Sequence, residues 1–181
     1  MATARRADAR RNRQLILDAA AALFAEQGLG VTVQEVARRA GVSTGTVSRH
    51  FPTKEDLFEA ILSRGMDELV AFSIDQRTQR DPGAAFFAFF DALIAAGAAD
   101  RGLAQRLSAA MEGSERRFLG PSVQALCDQL EESLAEAQAA GVVRPELHVA
   151  DVEALMTACM SRPETVSAVS AVLRRGLLAE Q

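Results

Sequence analysis

Between Ser43 and His50 the chain runs Ser-Thr-Gly-Thr-Val-Ser-Arg-His, placing hydroxyls, a guanidinium and an imidazole side by side around one apolar residue. The chemistry open to such groups is hydrogen bonding and charge pairing, because hydroxyls and guanidinium N–H groups donate to phosphate oxygens and to base edges. Small side chains let the backbone come close to such a partner, and Gly45 adds room for direct approach. Groupings that make or break covalent bonds are not legible: no Ser-His-acid set, Glu-x-x-His pair, P-loop or dinucleotide fingerprint occurs. An enzyme is therefore not expected, and no catalytic residue, metal or cofactor is assigned. His50 reads either as a phosphate contact or as a helix C-cap. His148, near Glu146 and Asp151, reads as a surface histidine, since a metal would need convergent partners.

Those residues need elements to hold them, and the pattern predicts helices throughout. Apolar residues recur at three- and four-residue spacing, alanine is abundant, and no period-two run is sustained. The expected fold class is all-α, with about nine helices whose ends carry the usual uncertainty of a few residues. A first helix is expected from about Arg10 to Gln27, with Leu15, Ile16, Ala19, Ala20, Leu23 and Phe24 as its stripe and Gly28 as its stop. Thr32 and Glu35 have capping-box spacing at the start of a helix ending near Ala40. Gly41 then turns the chain, and Ser43 caps a short helix closing at His50. Two short helices joined by a glycine-containing turn have the dimensions of a helix-turn-helix, with Val36, Ala37, Val42, Val47 and Phe51 as the contacts between them. Phe51-Pro52 is an extended step, and Thr53 caps a long helix beginning at Lys54, the only lysine. Further helices are expected from Pro82 behind Asp81 to about Gly97, from Asp100 to about Met111, and from Gly120-Pro121 to Ala140-Gly141. The last two run from about Val149 to Met160 and from Pro163 to about Leu178.

Charge divides unevenly along this series. Residues 1–65 hold ten Lys+Arg against seven Asp+Glu, a net +3, whereas residues 66–181 hold ten against seventeen, a net −7. One end suits a polyanion and the other does not. Arg5, Arg6, Arg10, Arg11 and Arg13 read either as a flexible basic arm that follows the DNA backbone or minor groove, or as a solvated tail. Cys127 and Cys159, far apart and without metal-ligand spacing, read as buried thiols ahead of a disulfide or redox pair. The apolar runs 84–90 and 92–99 are broken by Asp91 and fall short of the ~20 residues a membrane span needs. No secretory signal is legible, so the expectation is a soluble, cytoplasmic protein without a membrane partner.

Val31 to Leu62, reading VTVQEVARRAGVSTGTVSRHFPTKEDLFEAIL, resembles the N-terminal DNA-binding domain of the TetR family of bacterial regulators. The match includes Thr32, Glu35-Val36-Ala37, Gly41-Val42-Ser43, Gly45-Thr46-Val47, His50-Phe51 and Lys54-Glu55-Asp56-Leu57. The resemblance is strong over about residues 10–65 and only architectural afterwards. It implies a basic arm and helix-turn-helix domain over 1–52, and a helical ligand-binding and dimerisation domain over 53–181, joined through the helix from Lys54. It implies that Thr32 and Gln34 touch phosphate, that Ser43, Thr44, Gly45 and Thr46 face the groove, and that Ser48, Arg49, His50 and Lys54 complete the DNA contact. Ser48 stands where the family usually has tyrosine, which removes a phosphate-contacting phenol; Arg49 beside it is able to supply a charged contact.

In the second half, Phe86, Phe87, Phe89 and Phe90 cover more than one helical face. Phe86, Phe87 and Phe90, with Leu107, Met111, Phe118, Leu126 and Met156, are candidates to line an effector cavity, and plain core is the alternative. The last two helices carry apolar stripes that either close the monomer core or, as the resemblance implies, form a four-helix dimer interface through Leu155, Cys159, Val166, Val169, Ser170, Leu173 and Leu177. Glu131, Glu132 and Glu136 read as a solvated face. The expected whole is a homodimeric, effector-responsive regulator, with repression the favoured sign, binding a palindromic operator in duplex DNA. The alternative is a helical small-molecule-binding or interaction module with weak or lost DNA binding.

Overall fold

The computed structural model describes residues 2–27, 30–99, 120–160 and 166–179. Eight helices occur among them: α1 (Ala2–Gln27), α2 (Val33–Ala40), α3 (Thr44–His50), α4 (Lys54–Gln79), α5 (Pro82–Ala99), α6 (Pro121–Ala139), α7 (Val149–Met160) and α8 (Val166–Leu177). The helix expected over Asp100–Met111 and the stop expected at Gly28 lie outside the described residues. Extended pairing among the described residues is limited to an isolated antiparallel bridge between Val143 and Leu178.

The chain divides into two compact units, 1–63 and 64–181, with the division inside α4. In the first unit Ile16, Leu17, Ala20 and Leu23 of α1 pack with Val31, Val36, Ala37, Val47, Phe51 and Leu57. Leu57 and its neighbours Ala60 and Ile61 join this core, which is why the first turns of α4 belong to it. Two expectations are corrected here. Leu15 is 40% exposed and Leu17 is buried in its stead, because the stripe follows residues 16, 20 and 23, one helical step round from position 15. Residues 2–9 continue α1 rather than forming a flexible arm, as their alanine- and arginine-rich composition, free of Gly and Pro, favours.

The second unit is built round α5, whose Phe86, Phe89, Phe90, Leu93 and Ile94 are all fully buried. By length and composition α5 alone among the described residues is apolar enough to cross a membrane, but its phenylalanines form the centre of this core. Asp81 caps it, with Ala84 N donating to Asp81 Oδ1 at 2.9 Å. Gly83 is where the chain after α6 comes closest: a Cβ there would lie 2.6 Å from Val142 Cγ1 and 2.9 Å from its Cβ. A branched side chain held at its Cβ cannot swing away. Gly83→Ala is therefore expected to destabilise the protein by about 1–2 kcal/mol despite alanine's better helix propensity, read as a Tm lower by roughly 4 °C in a circular-dichroism melt.

Arg77 near the end of α4 reaches α6. Its Nε donates to Glu136 Oε2 at 2.9 Å, and its Nη1 to Glu132 Oε2 at 2.6 Å and Gln129 Oε1 at 3.1 Å. Glu132 and Glu136 are thus not merely a solvated face, although both stay about half exposed. The hydrogen bond from Arg77 holds the Glu136 carboxyl below its ordinary value.

Candidate nucleic-acid interface

The local chemistry of α2 and α3 sets the surface they present. Thr32 forms a full capping box: Glu35 N donates to Thr32 Oγ1 at 3.3 Å, and Thr32 N donates back to Glu35 Oε2 at 2.8 Å. The Thr32 hydroxyl also donates to that carboxylate at 2.7 Å, and this bond, followed by the backbone one, holds the Glu35 carboxyl below its ordinary value. Gly41, at φ +68°, takes the left-handed turn that ends α2, with Val42 N donating to Ala37 O at 3.0 Å. Ser43 then caps α3 by accepting from Thr46 N at 3.1 Å, and its hydroxyl pairs with that of Thr46 at 2.8 Å. Phe51 closes α3 through its N–H to Val47 O at 2.8 Å.

With Val36, Ala37, Val47 and Phe51 buried behind them, Gln34, Ser43, Thr44, Gly45, Ser48 and Arg49 are exposed, as is Thr32. Thr46, His50 and Lys54 are half-buried. The structure therefore leaves seven of the ten predicted contact residues exposed and three half-buried, with apolar core behind α2 and α3, and it adds constraints that spacing alone does not carry. Arg49 Nε donates to Gly45 O at 3.0 Å, which lays the guanidinium stem along its own helix. His50 stands beside Phe51, ring centroids 6.3 Å apart. The Lys54 ammonium lies 5.9 Å from the centroid of Phe24, a ring that meets Phe58 edge-on at 5.6 Å. Arg13 stacks its guanidinium 5.3 Å from the Phe51 ring, and Arg39 pairs with Glu26 at 2.8 Å to tie α2 to α1. Spacing gives no signal for either tie, because the partners are far apart along the chain. Exposed Arg6, Arg10, Arg11 and Arg13 lie along α1.

Gly45 is informative because the protein itself does not need it. A Cβ there would meet nothing nearer than Ser43 Oγ at 3.9 Å and Arg49 Nη2 at 4.0 Å, an ordinary contact, while glycine costs a helix roughly 1 kcal/mol against alanine. Space reserved at that cost suits a partner from outside. Gly45→Ala is expected to raise stability by about 0.5–1 kcal/mol in a thermal melt and yet to weaken DNA binding about tenfold or more in a titration of the same sample. Unchanged affinity would remove Gly45 from the interface.

The effector and dimer candidates all fall in the second unit. Phe86, Phe87, Phe90, Leu126 and Met156 are buried, and Phe86 packs edge-on to Phe87 at 5.2 Å and tilted to Phe90 at 6.1 Å. Phe87 is set apart by the Arg174 guanidinium 4.5 Å from its ring centroid. Leu107, Met111 and Phe118 lie outside the described residues. Leu155 and Leu173 are half-buried, Val169 is exposed, and Ser170 donates to Asp91 Oδ1 at 2.9 Å; Val166 begins α8, its side chain outside the described set. Cys159 and Leu177 are covered by the protomer itself and so offer no surface to a second copy. Leu177 is drawn inward because Arg144 N donates to Leu177 O at 3.1 Å and Ala179 N to Val142 O at 3.0 Å, clasping the end of the chain. Val172, at 68%, is the most exposed large apolar side chain among the described residues, and spacing does not single it out. Cys127 and Cys159 are buried thiols not joined to each other, and burial pushes the Cys159 thiol up.

Residues 16–61 match the family model of bacterial regulatory proteins of the tetR family, and residues 81–179 match that of the SbtR-like transcriptional regulator C-terminal domain. A TetR transcription regulatory protein of Mycobacterium vanbaalenii is similar at a TM-score of 0.74 and 38% identity, over 96% of this chain and 99% of its own. A TetR transcriptional regulator of Streptomyces coelicolor follows at a TM-score of 0.72 and 27% identity, over 93% and 99%. The HTH-type transcriptional repressor KstR2 of Rhodococcus jostii is 40% identical over 70 residues, a match spanning only 34% of each chain.

Proposed function

The chain belongs to the TetR family of bacterial regulatory proteins, and from that membership we propose that it is an effector-responsive transcriptional repressor acting as a homodimer on a palindromic operator. The first unit holds DNA and the second unit holds the effector and the second copy. Within the first unit Ser43, Thr44, Gly45 and Thr46 face base edges, while Thr32, Gln34, Ser48, Arg49, His50 and Lys54 hold the phosphate backbone. The observation that carries this reading is the exposed surface of small polar groups on α3, backed by the buried Val47 and Phe51 and containing a glycine that the fold does not require.

Two copies are needed because a palindrome is read by two recognition helices one DNA turn apart, ~34 Å. Control follows from unequal affinity: an effector that binds one conformation of the dimer better than the other shifts the DNA-competent population by that difference and no more. Repression is favoured because the R. jostii relative is named as a repressor.

Fluorescence anisotropy with duplex DNA flanking its own gene is expected to give tight, sequence-specific binding whose logarithmic affinity falls linearly with the logarithm of salt, about 0.9 per phosphate neutralised. Weak binding that does not distinguish this DNA from unrelated duplex would sink the proposal. It would favour instead the interaction-module reading, for which the relevant observation is Ser48, a small hydroxyl, next to an Arg49 already held by its own helix.

A further inference from the structure

Four polar side chains are buried among the described residues of the second unit, Ser73, Gln76, Ser133 and Glu153, and the first three interrupt apolar rows on α4 and α6. On α4 the buried row runs Met66, Leu69, Ser73, Gln76, and on α6 it runs Val123, Leu126, Leu130, Ser133, Ala137, both at alternating three- and four-residue steps. Ser73 is 0%, Gln76 6% and Ser133 1% exposed, and Ser73 Oγ, Gln76 Oε1 and Ser133 Oγ have no hydrogen-bond partner among the described residues. Burying such groups unpaired costs free energy that alanine or leucine would not.

Arg77 ties α4 to α6, the two helices that carry these rows. Arg77 follows Gln76 and lies one turn beyond Ser73, and its partners Gln129, Glu132 and Glu136 flank Ser133 on α6. Gln76 Nε2 donates to Asp75 Oδ2 at 3.3 Å, which sets the amide so that Oε1 is the acceptor left over. An anionic group is unwelcome there, since Arg77 is already paired with both Glu132 and Glu136, Asp75 stands against Gln76, and the chain from residue 66 onward carries a net charge of −7.

Resting on the effector-binding reading above, we infer that the two rows meet in one seam and that this seam holds the polar end of the effector, which is an uncharged, largely apolar molecule carrying a hydroxyl or amide N–H donor. The donor goes to Gln76 Oε1, and the two seryl hydroxyls take up the same group's acceptor lone pairs. The apolar body lies along the leucines of the two rows.

The test uses the full-length protein and two matched probe sets: adamantan-1-ol, 1-methoxyadamantane and adamantane-1-carboxylate; and decan-1-ol, decyl methyl ether and decanoate. Calorimetric titration and thermal melts are the readouts. An alcohol is expected to bind about tenfold more tightly than its methyl ether, and the carboxylate more weakly still. In the Ser73→Ala, Ser133→Ala double variant the ligand-free Tm is expected to rise by roughly 4 °C, and the alcohol-to-ether ratio to fall to about one. Gln76→Leu alone is expected to erase the same ratio, should the double variant fold poorly.

Ethers or carboxylates binding as well as alcohols, or a preference that survives in both variants, would overturn the inference. If no probe binds while the protein still holds its DNA, the seam is a hydrated structural layer; the inference fails and the regulator reading stands. If the preference holds and disappears in the variants, yet saturation with the alcohol leaves DNA affinity unchanged, the site stands and effector control fails.

Discussion

Substituting Lys54 and His50 together by alanine is expected to weaken binding to the proposed operator about a thousandfold while the protein keeps its fold and its proposed dimeric state. Each proposed contact to phosphate contributes on the order of 1 kcal/mol, and the proposed dimer loses each twice, so four contacts amount to roughly 4 kcal/mol. Fold is spared because both side chains are only half-buried at the margin of the first unit: His50 stands beside the Phe51 ring, and the Lys54 ammonium–ring contact with Phe24 is worth about 0.5–1 kcal/mol. The salt dependence should flatten by about two in slope for the lysine alone, one unit per protomer. Anisotropy over a range of salt, with a thermal melt and sedimentation as controls, checks all three quantities. Full affinity in a folded variant would mean that these residues do not face the phosphate backbone.

Replacing Val169 and Val172 of α8 by glutamate is expected to convert the proposed dimer to a monomer and to remove at least about a hundredfold in DNA affinity. Val172 is 68% and Val169 36% exposed in the protomer, and neither belongs to its buried core. In an interface related by a twofold axis each new carboxylate meets its own copy or a neighbour of like charge, which compounds the penalty of burying it. The DNA effect follows because two linked reading heads bind with an effective concentration that separate heads lack, a gain of about 10² to 10⁴. Light scattering gives the mass and anisotropy the affinity. A variant that remains dimeric would move the interface away from α8.

Much of the first unit was legible because its determinants are local. The Thr32–Glu35 box, the Gly41 turn, the Ser43 cap and the paired Thr53–Asp56 cap, with Asp56 N to Thr53 Oγ1 at 3.0 Å, all join residues within four positions. Local rules also misled where two of them competed. The arginine run before residue 10 satisfies both a basic tail and a helix extension, and helix propensity prevails over 2–9. Leu15 and Leu17 are equally apolar on paper, and only the position of the α2–α3 pair decides which is buried.

The helix-turn-helix with its polar face, the all-helical class and the charge asymmetry were determined by the sequence itself, since caps, turns and periodic stripes need nothing beyond neighbouring residues. Tertiary structure decided which stripe residues are covered. It turned Leu177 inward through the backbone bonds between 142–144 and 177–179 and left Val172 outward. It joined Arg77 to Glu132 and Glu136, fifty-five and fifty-nine positions away, and it buried Ser73, Gln76 and Ser133 on the two helices so tied. Periodicity reports the face of a helix on which a residue lies. What that face meets depends on contacts between residues distant in the chain, and those form only when the helices pack.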